Sequence, residues 1–229
     1  MEFDLIDLTH KLTAQSPSWN LSCGYHADIK LDYDPSKPIS FRVQQIKMHA
    51  GIGTHMDAPA HCIEGGKTIA DIALNQLLAP CYVLDVSDKA HERYSVTLED
   101  IQAFEERYEP IRDNSVLIVY TGWDQFWQDP KKYHNNYLFP NISKPAIEFL
   151  MQHRKLVGIG IDTLSPDRPE EGFPVHQLML GAGKYIIENV AHAKKLAPVG
   201  DHILALPLNL ETTEAPMRLV GLRTKNRNT

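Results

Sequence analysis

Apolar positions along this chain fall into short clusters, and their spacing alternates between two periods. Phe3 to Leu8 reads as a first strand. Phe41 to Met48 (FRVQQIKM) alternates apolar with polar residues, the two-residue period of a strand, and runs toward the segment that begins at Gly53. Cys81 to Val86, Ser115 to Tyr120 and Leu156 to Ile161 are short continuous apolar stretches, as expected of buried strands. Two segments carry a helical period instead. Over Thr97 to Tyr108, Leu98, Ile101, Phe104 and Tyr108 line one side, and Thr97 with Asp100 three residues later can cap the first turn. Over Ser143 to His153, Ser143 is the N-cap, Pro145 sits in the first turn, and Ile147, Leu150 and Met151 form the apolar face. His202 to Leu210 and Met217 to Arg223 predict a terminal antiparallel pair around Glu211 to Pro216. Strands and helices intermingle without the regular beat of a doubly wound sheet. The expected fold is one α/β domain, residues 1–229, with a mixed β-sheet.

Composition narrows the function classes. The chain is 43% hydrophobic and 23% charged, as in ordinary globular proteins. A net charge of −6 argues against a nucleic-acid partner, which needs a basic face. No apolar run approaches the ~18 residues that would cross a bilayer, so no membrane role is expected. The acidic start Met1-Glu2-Phe3-Asp4 does not resemble a secretory signal. Cys23, Cys62 and Cys81 make an odd set without a C-x-x-C spacing. That fits a reducing compartment, and the expectation is cytoplasmic. Cys62 is expected to pack.

The chemistry concentrates in Gly53-Thr54-His55-Met56-Asp57-Ala58-Pro59-Ala60-His61. In extended backbone His55, Asp57 and His61 project to one face, whereas a helix would turn Asp57 about 200° from His55. Pro59 also disfavours a helix interior. Two imidazoles and a carboxylate suit Zn²⁺, Mn²⁺ or Fe²⁺. A metal needs further ligands from elsewhere, and His176 and Glu188 are the best distant candidates. Glu188 follows Ile186-Ile187 inside an apolar run, where a carboxylate is costly to bury without a partner. Asp162-Thr163-Leu164-Ser165-Pro166-Asp167 follows a predicted strand. Asp162 can either orient a ligand or make a turn, and Asp167 reads as a turn residue. Trp19 can either pack or stack against a substrate. A Gly-x-Ser-x-Gly elbow, an HExxH helix and a P-loop are all absent from the sequence.

Taken in order, these blocks resemble the cyclase-like metal-dependent hydrolases, the family of bacterial kynurenine formamidase and isatin hydrolase. The carriers are Gly53-Thr54-His55-x-Asp57-x-Pro59-x-His61, Ile6-Asp7-Leu8-Thr9-His10, Gly160-Ile161-Asp162-Thr163-x-Ser165, the twelve-residue spacing of His176 and Glu188, and Ala215-Pro216-Met217-Arg218. The resemblance implies a swivelling β/β/α fold and a divalent metal cofactor, Zn or Mn, with one or two ions. It implies His55, Asp57, His176 and Glu188 as ligands, His61 as the proton-transfer residue and Trp19 as a substrate contact. It also implies a small-molecule substrate and a homodimer or homotetramer. One departure stands out. The family's first histidine would fall at position 51, which here is Gly51. Either His49 is recruited through a folded-back loop, or water serves, or that part of the site is lost, and loss is the expectation. The implied activity is hydrolysis of an amide, formamide or cyclic amide, with the metal polarising the carbonyl and lowering the pKa of water. His61 would carry the proton to the leaving nitrogen. Lactone hydrolysis or dehydrative ring closure at the same site, and a non-catalytic relative with a weakened metal site, are the alternatives.

Overall fold

The structure is a computed structural model that describes residues 2–21 and 24–225. Cys23, one of the three cysteines, lies outside the described residues. The strands in chain order are β1 (Phe3–Asp7), β2 (His26–Leu31), β3 (Val43–Lys47), β4 (His55–Asp57), β5 (Leu78–Asp85), β6 (Ser95–Val96), β7 (Val116–Tyr120), β8 (Asn141–Ile142), β9 (Gly158–Ile161), β10 (Tyr185–Glu188), β11 (His202–Pro207) and β12 (Glu214–Thr224). The helices are α1 (Leu74–Leu77), α2 (Leu98–Arg107), α3 (Pro130–His134), α4 (Lys144–His153) and α5 (Pro174–Gly181). Among the described residues no helix is long and apolar enough to cross a membrane.

A mixed sheet organises the molecule, in the order β1-β12-β11-β5-β7-β9-β10-β4. Strands β5, β7, β9 and β10 run parallel, and the remaining pairs in this sheet are antiparallel. The long β12 then pairs with β4 as well, so the sheet closes into a barrel-like ring. Closure follows from the length of β12. Its first residues meet β4, and its later ones meet β1 on that edge and β11 on the other.

Alternation along the strands sorts side chains into two cores. Val116, Ile118, Met56, Ile187, Ala205 and Leu219 belong to one cluster. Leu117, Val119, Ile159, Ile161 and Ile186 point the other way, against α2, α4 and α5. Both predicted helices form where their caps place them. Thr97 accepts from the Asp100 backbone N–H at 3.3 Å while Asp100 accepts from the Thr97 N–H at 2.8 Å, a reciprocal capping box. Ser143 caps α4 through the Ala146 N–H.

Three expectations need correction. Phe41 to Met48 does not run into the motif as one strand. Its ordered part is β3, paired with β2 in a separate ribbon whose side chains are all exposed, and residues 48–54 form a loop between it and β4. The terminal pair is displaced, because β11 stops at Pro207 and β12 starts at Glu214, three residues before the predicted Met217. The helix α5, which carries His176, has no counterpart among the predicted elements. Its first residue is Pro174 and its run is short, so it lacks a polar N-cap and a full helical period to read.

Candidate metal centre

Strand β4 is only three residues long, but it is flanked on both sides. Antiparallel register sets Glu188 of β10 opposite His55, and Glu214 of β12 opposite Asp57. Directly opposed residues share a face of the sheet with Cβ atoms ~4.5–5.5 Å apart. His55, Asp57, Glu188 and Glu214 therefore crowd one patch, while Met56 between them points into the core and is fully buried. Helix α5 brings His176 over this patch, and a 3-10 turn at Pro59–His61 turns His61 back toward it.

The four central groups interlock. His55 Nε2 lies 3.3 Å from Asp57 Oδ1 and 3.3 Å from Glu188 Oε2. His176 Nε2 lies 3.7 Å from Asp57 Oδ2 and 3.5 Å from Glu188 Oε1. Each carboxylate thus offers one oxygen to His55 and the other to His176. Such a set of two carboxylates between two imidazoles would hold one divalent cation, or two that share the carboxylates. Ligands bound at ~2.1 Å in a tetrahedron stand roughly 3.4 Å apart, which matches these separations.

The imidazoles are oriented from behind. His55 Nδ1–H donates to the Gly53 carbonyl at 2.9 Å, and His176 Nδ1–H donates to Asp167 Oδ2 at 2.7 Å. Both rings consequently present Nε2 to the carboxylates, the tautomer a cation requires. These supports are themselves braced. Asp167 also accepts the backbone N–H groups of Val175 and His176, so it caps α5 while it steers the ring. The Gly53 carbonyl also accepts from Asn189 Nδ2, and Tyr133 donates its hydroxyl to Asn189 Oδ1. Gly53 itself takes φ +63, a left-handed turn that glycine adopts without strain.

Donor chemistry and burial fit a divalent cation. Asp57 is 1% exposed, and neither of its oxygens receives a hydrogen bond. A buried carboxylate without donors is costly unless a positive charge faces it. Among the described residues, His55, Asp57 and Glu188 can present donor atoms within 4.8 Å of one another, and so can Asp57, His61 and Glu214. The field at the site points the same way. Burial opposes a charged His55, but Asp57 and Glu188 outweigh it and hold its pKa well above the ordinary value. For His176 burial is likewise overridden, by Asp167, Glu188 and Asp57. Protons on these rings and a bound cation are alternative ways to balance the same carboxylates.

Comparison with known proteins then places the chain. Residues 6–168 match the family described as "Putative cyclase". The chain belongs to the cyclase family. It is 28% identical over 208 residues to isatin hydrolase of Roseibium aggregatum, covering 83% of this chain and 78% of that protein. It is 24% identical over 216 residues to kynurenine formamidase of Geobacillus thermodenitrificans, covering 93% and 94%. Among solved structures, isatin hydrolase A of Ralstonia solanacearum superposes with a TM-score of 0.89 at 26% identity, over 97% of this chain and 92% of that one.

Within this cyclase-family fold, the site residues expected from the sequence divide into those the structure unites and those it moves. His55, Asp57, His176 and Glu188 converge. His61 joins them, but from the 3-10 turn rather than from the same strand face, because Pro59 starts a turn two residues after β4 ends. Its Nδ1 lies 3.4 Å from Glu214 Oε2. Trp19 lines the same cavity, of about 480 Å³, and its backbone carbonyl accepts from His134 Nε2–H and the Tyr137 hydroxyl. His49 also lines the cavity but belongs to neither donor cluster. Its ring packs so closely on Gly24 that a Cβ there would collide with it. Among the described residues, Asp162 makes no hydrogen bond to His55, Asp57, His176 or Glu188. Its carboxylate is taken by the Thr121 N–H and hydroxyl and by the Trp123 N–H, so it ties the end of β9 to the loop after β7. Asp167, expected to serve a turn, is instead the partner of His176. Cys62 is exposed at the cavity wall rather than packed, because the 3-10 turn breaks the alternation that would have hidden it.

Two further residues of the site went unnoticed in the sequence. Glu214 lies in a segment read as a turn. Phe173 closes the cavity edge-on to His176, with ring centroids 5.9 Å apart. Its φ of +58 is a left-handed conformation that an aromatic residue adopts only at a cost, and its only trace in the sequence is the following Pro174.

Proposed function

We propose that this chain is a divalent-metal-dependent hydrolase that cleaves the amide, formamide or cyclic-amide C–N bond of a small carbonyl compound. The carrying observation is the pair of carboxylates shared between two Nε2 atoms, with Asp57 buried and unsatisfied by hydrogen bonds. The kinship with isatin hydrolase and kynurenine formamidase supports the bond type. His55, Asp57, His176 and Glu188 would hold one or two ions, Zn²⁺ or Mn²⁺ being suited to imidazole–carboxylate donors. The bound cation supplies Lewis-acid polarisation of a carbonyl and of water.

The chain's own groups do the rest. Asp167 and the Gly53 carbonyl keep the two imidazoles aimed. His61 moves the proton. Its hydrogen bond to Glu214, against the opposing effect of burial, raises its pKa above the ordinary value. A raised pKa favours the protonated ring, the form that can donate to a departing nitrogen. Trp19 and Phe173 give the cavity aromatic lining beside the polar donors, which suits a flat, small substrate.

The test is hydrolysis of a panel of formamides, cyclic imides and lactones by the purified protein with and without chelator. Chelation should abolish turnover of an amide-type compound, and Zn²⁺ or Mn²⁺ should restore it. A well-folded protein that takes up no metal and turns over none of the panel would contradict the proposal.

Two settings accompany it. The β2–β3 ribbon and its flanks expose Ile29, Leu31, Tyr33, Ile39, Phe41, Val43 and Ile46, an apolar surface of the kind that a second copy of this chain covers. The free thiols of Cys62 and Cys81 suit a reducing compartment, the cytoplasm.

A further inference from the structure

Taking the centre as a metal site, as proposed above, we infer that Glu214 is a cation ligand whose carboxylate does the work of the side chain that Gly51 lacks. Position 51 lies in the loop that feeds β4. A Cβ built on Gly51 would collide with Glu214 Oε1, and it would lie 3.1 Å from Glu214 Cδ and 3.3 Å from His55 Nε2. A side chain at 51 would therefore point at the His55 nitrogen through the volume that the Glu214 carboxylate fills. Either group can serve that position, and they cannot coexist there.

The sheet explains how Glu214 arrives. It is the first residue of β12 and stands opposite Asp57. Two carboxylates set directly across antiparallel strands repel. Here they share a face of the sheet with Glu188, which stands opposite His55 on the other flank of β4. Among the described residues His61 is the ion-pair partner of Glu214, at 3.4 Å, and it touches Oε2, the oxygen that also accepts from the Thr213 hydroxyl. Oε1 is the oxygen directed to the Gly51–His55 side. Asp57 supplies the independent sign of a ligand, since both its buried oxygens lack hydrogen-bond donors. Asp57, His61 and Glu214 can also present atoms within 4.8 Å of one another.

The consequence is a difference between the two cation positions. With Glu214 as a ligand, a cation beside His55 would be held by one imidazole and by carboxylates from Asp57, Glu188 and Glu214. The one beside His176 has one imidazole and two carboxylates. Oxygen-rich surroundings favour Mn²⁺ or Mg²⁺ over Zn²⁺ relative to sites with more nitrogen. The position beside His55 should accordingly prefer the harder ion.

Calorimetric titration of metal-stripped protein with Mn²⁺ and with Zn²⁺ tests this without any substrate. Glu214→Gln keeps the shape and removes the charge. It should weaken Mn²⁺ binding at one position by about a thousandfold, beyond the roughly 10–100-fold usual for a residue that only supports a ligand, and weaken Zn²⁺ less. His61→Ala should leave Mn²⁺ binding within a few-fold of wild type. Gly51→His alone should bind poorly, and Gly51→His with Glu214→Ala should regain binding with its preference moved toward Zn²⁺. Wild-type Mn²⁺ affinity and stoichiometry in Glu214→Gln would overturn the inference and leave Glu214 as a positioning residue for His61. So would a double variant that melts like wild type yet binds no better than Glu214→Ala. Asp57→Ala separates the two levels of the argument. If it binds Mn²⁺ as wild type does, the metal centre itself is wrong. If it binds none while Glu214→Gln is normal, only the role of Glu214 is wrong.

Discussion

Single side chains decide this site through their second hydrogen bonds. Asp167 accepts three hydrogen bonds, from two backbone N–H groups and from His176 Nδ1. Asp167→Asn would keep much of the cap but replace a carboxylate by an amide that no longer fixes the tautomer. Metal affinity should fall by roughly 10–100-fold, read by competition with a chromophoric chelator. His61→Ala should leave that affinity in place and lower kcat by about 10²–10⁴; equal losses in both would mean that His61 is a ligand. His10 gives a pH signature away from the metal. Burial, helped by His192 and opposed by Asp7, pushes its pKa down to about 3, and its ring stacks on Trp127 at 4.0 Å. A folded-state pKa below the unfolded value means that acid favours the unfolded chain. Stability should fall as pH drops below about 6.5, by about 2 kcal/mol at pH 5. Urea titrations of metal-stripped wild type and His10→Gln should show that slope reduced in the variant, and an identical slope would remove His10 from the account.

At the scale of elements, the sequence was most legible where local chemistry repeats. Caps and periodicity located α2 and α4 to within a residue, and the apolar runs located β5, β7 and β9. Removing the Thr97 cap by Thr97→Ala should cost about 1 kcal/mol in denaturant midpoints. What could not be read was pairing. Nothing local to Glu214 says that it faces Asp57, because register is set by closure of β12 onto β4 some 150 residues away in sequence. The same holds for Asp167, whose role depends on where α5 docks. The His55-x-Asp57 alternation was readable because a strand has a period of two, and it failed at His61 because Pro59 ended the strand. Met56, fully buried on the core face of β4, anchors that strand. Met56→Ala should cost about 2–5 kcal/mol and loosen metal binding with it, since His55 and Asp57 ride on the same three residues.

For the molecule as a whole, the closed sheet is what turns scattered residues into one centre. The proposed ligands would come from β4, β10, β12 and α5, and no two of these elements except β10 and α5 are near neighbours in sequence. The cores on the two faces hold the strands in register, and the cavity opens where α5, the Trp19 segment and the loop after β3 meet. The exposed β2–β3 ribbon stands outside this frame. Phe41→Asp with Ile46→Asp should shift a dimer or tetramer toward monomer in light scattering without lowering the melting temperature of the folded unit. The central claim is that Asp57 and Glu188, with the imidazoles of His55 and His176, would together hold a divalent cation. Anomalous diffraction from a crystal grown with Mn²⁺, recorded at wavelengths that identify manganese, measures this directly. The account predicts a peak within bonding distance of Asp57, Glu188 and at least one of the two imidazole Nε2 atoms. A crystal with manganese elsewhere and none among these four side chains would contradict it.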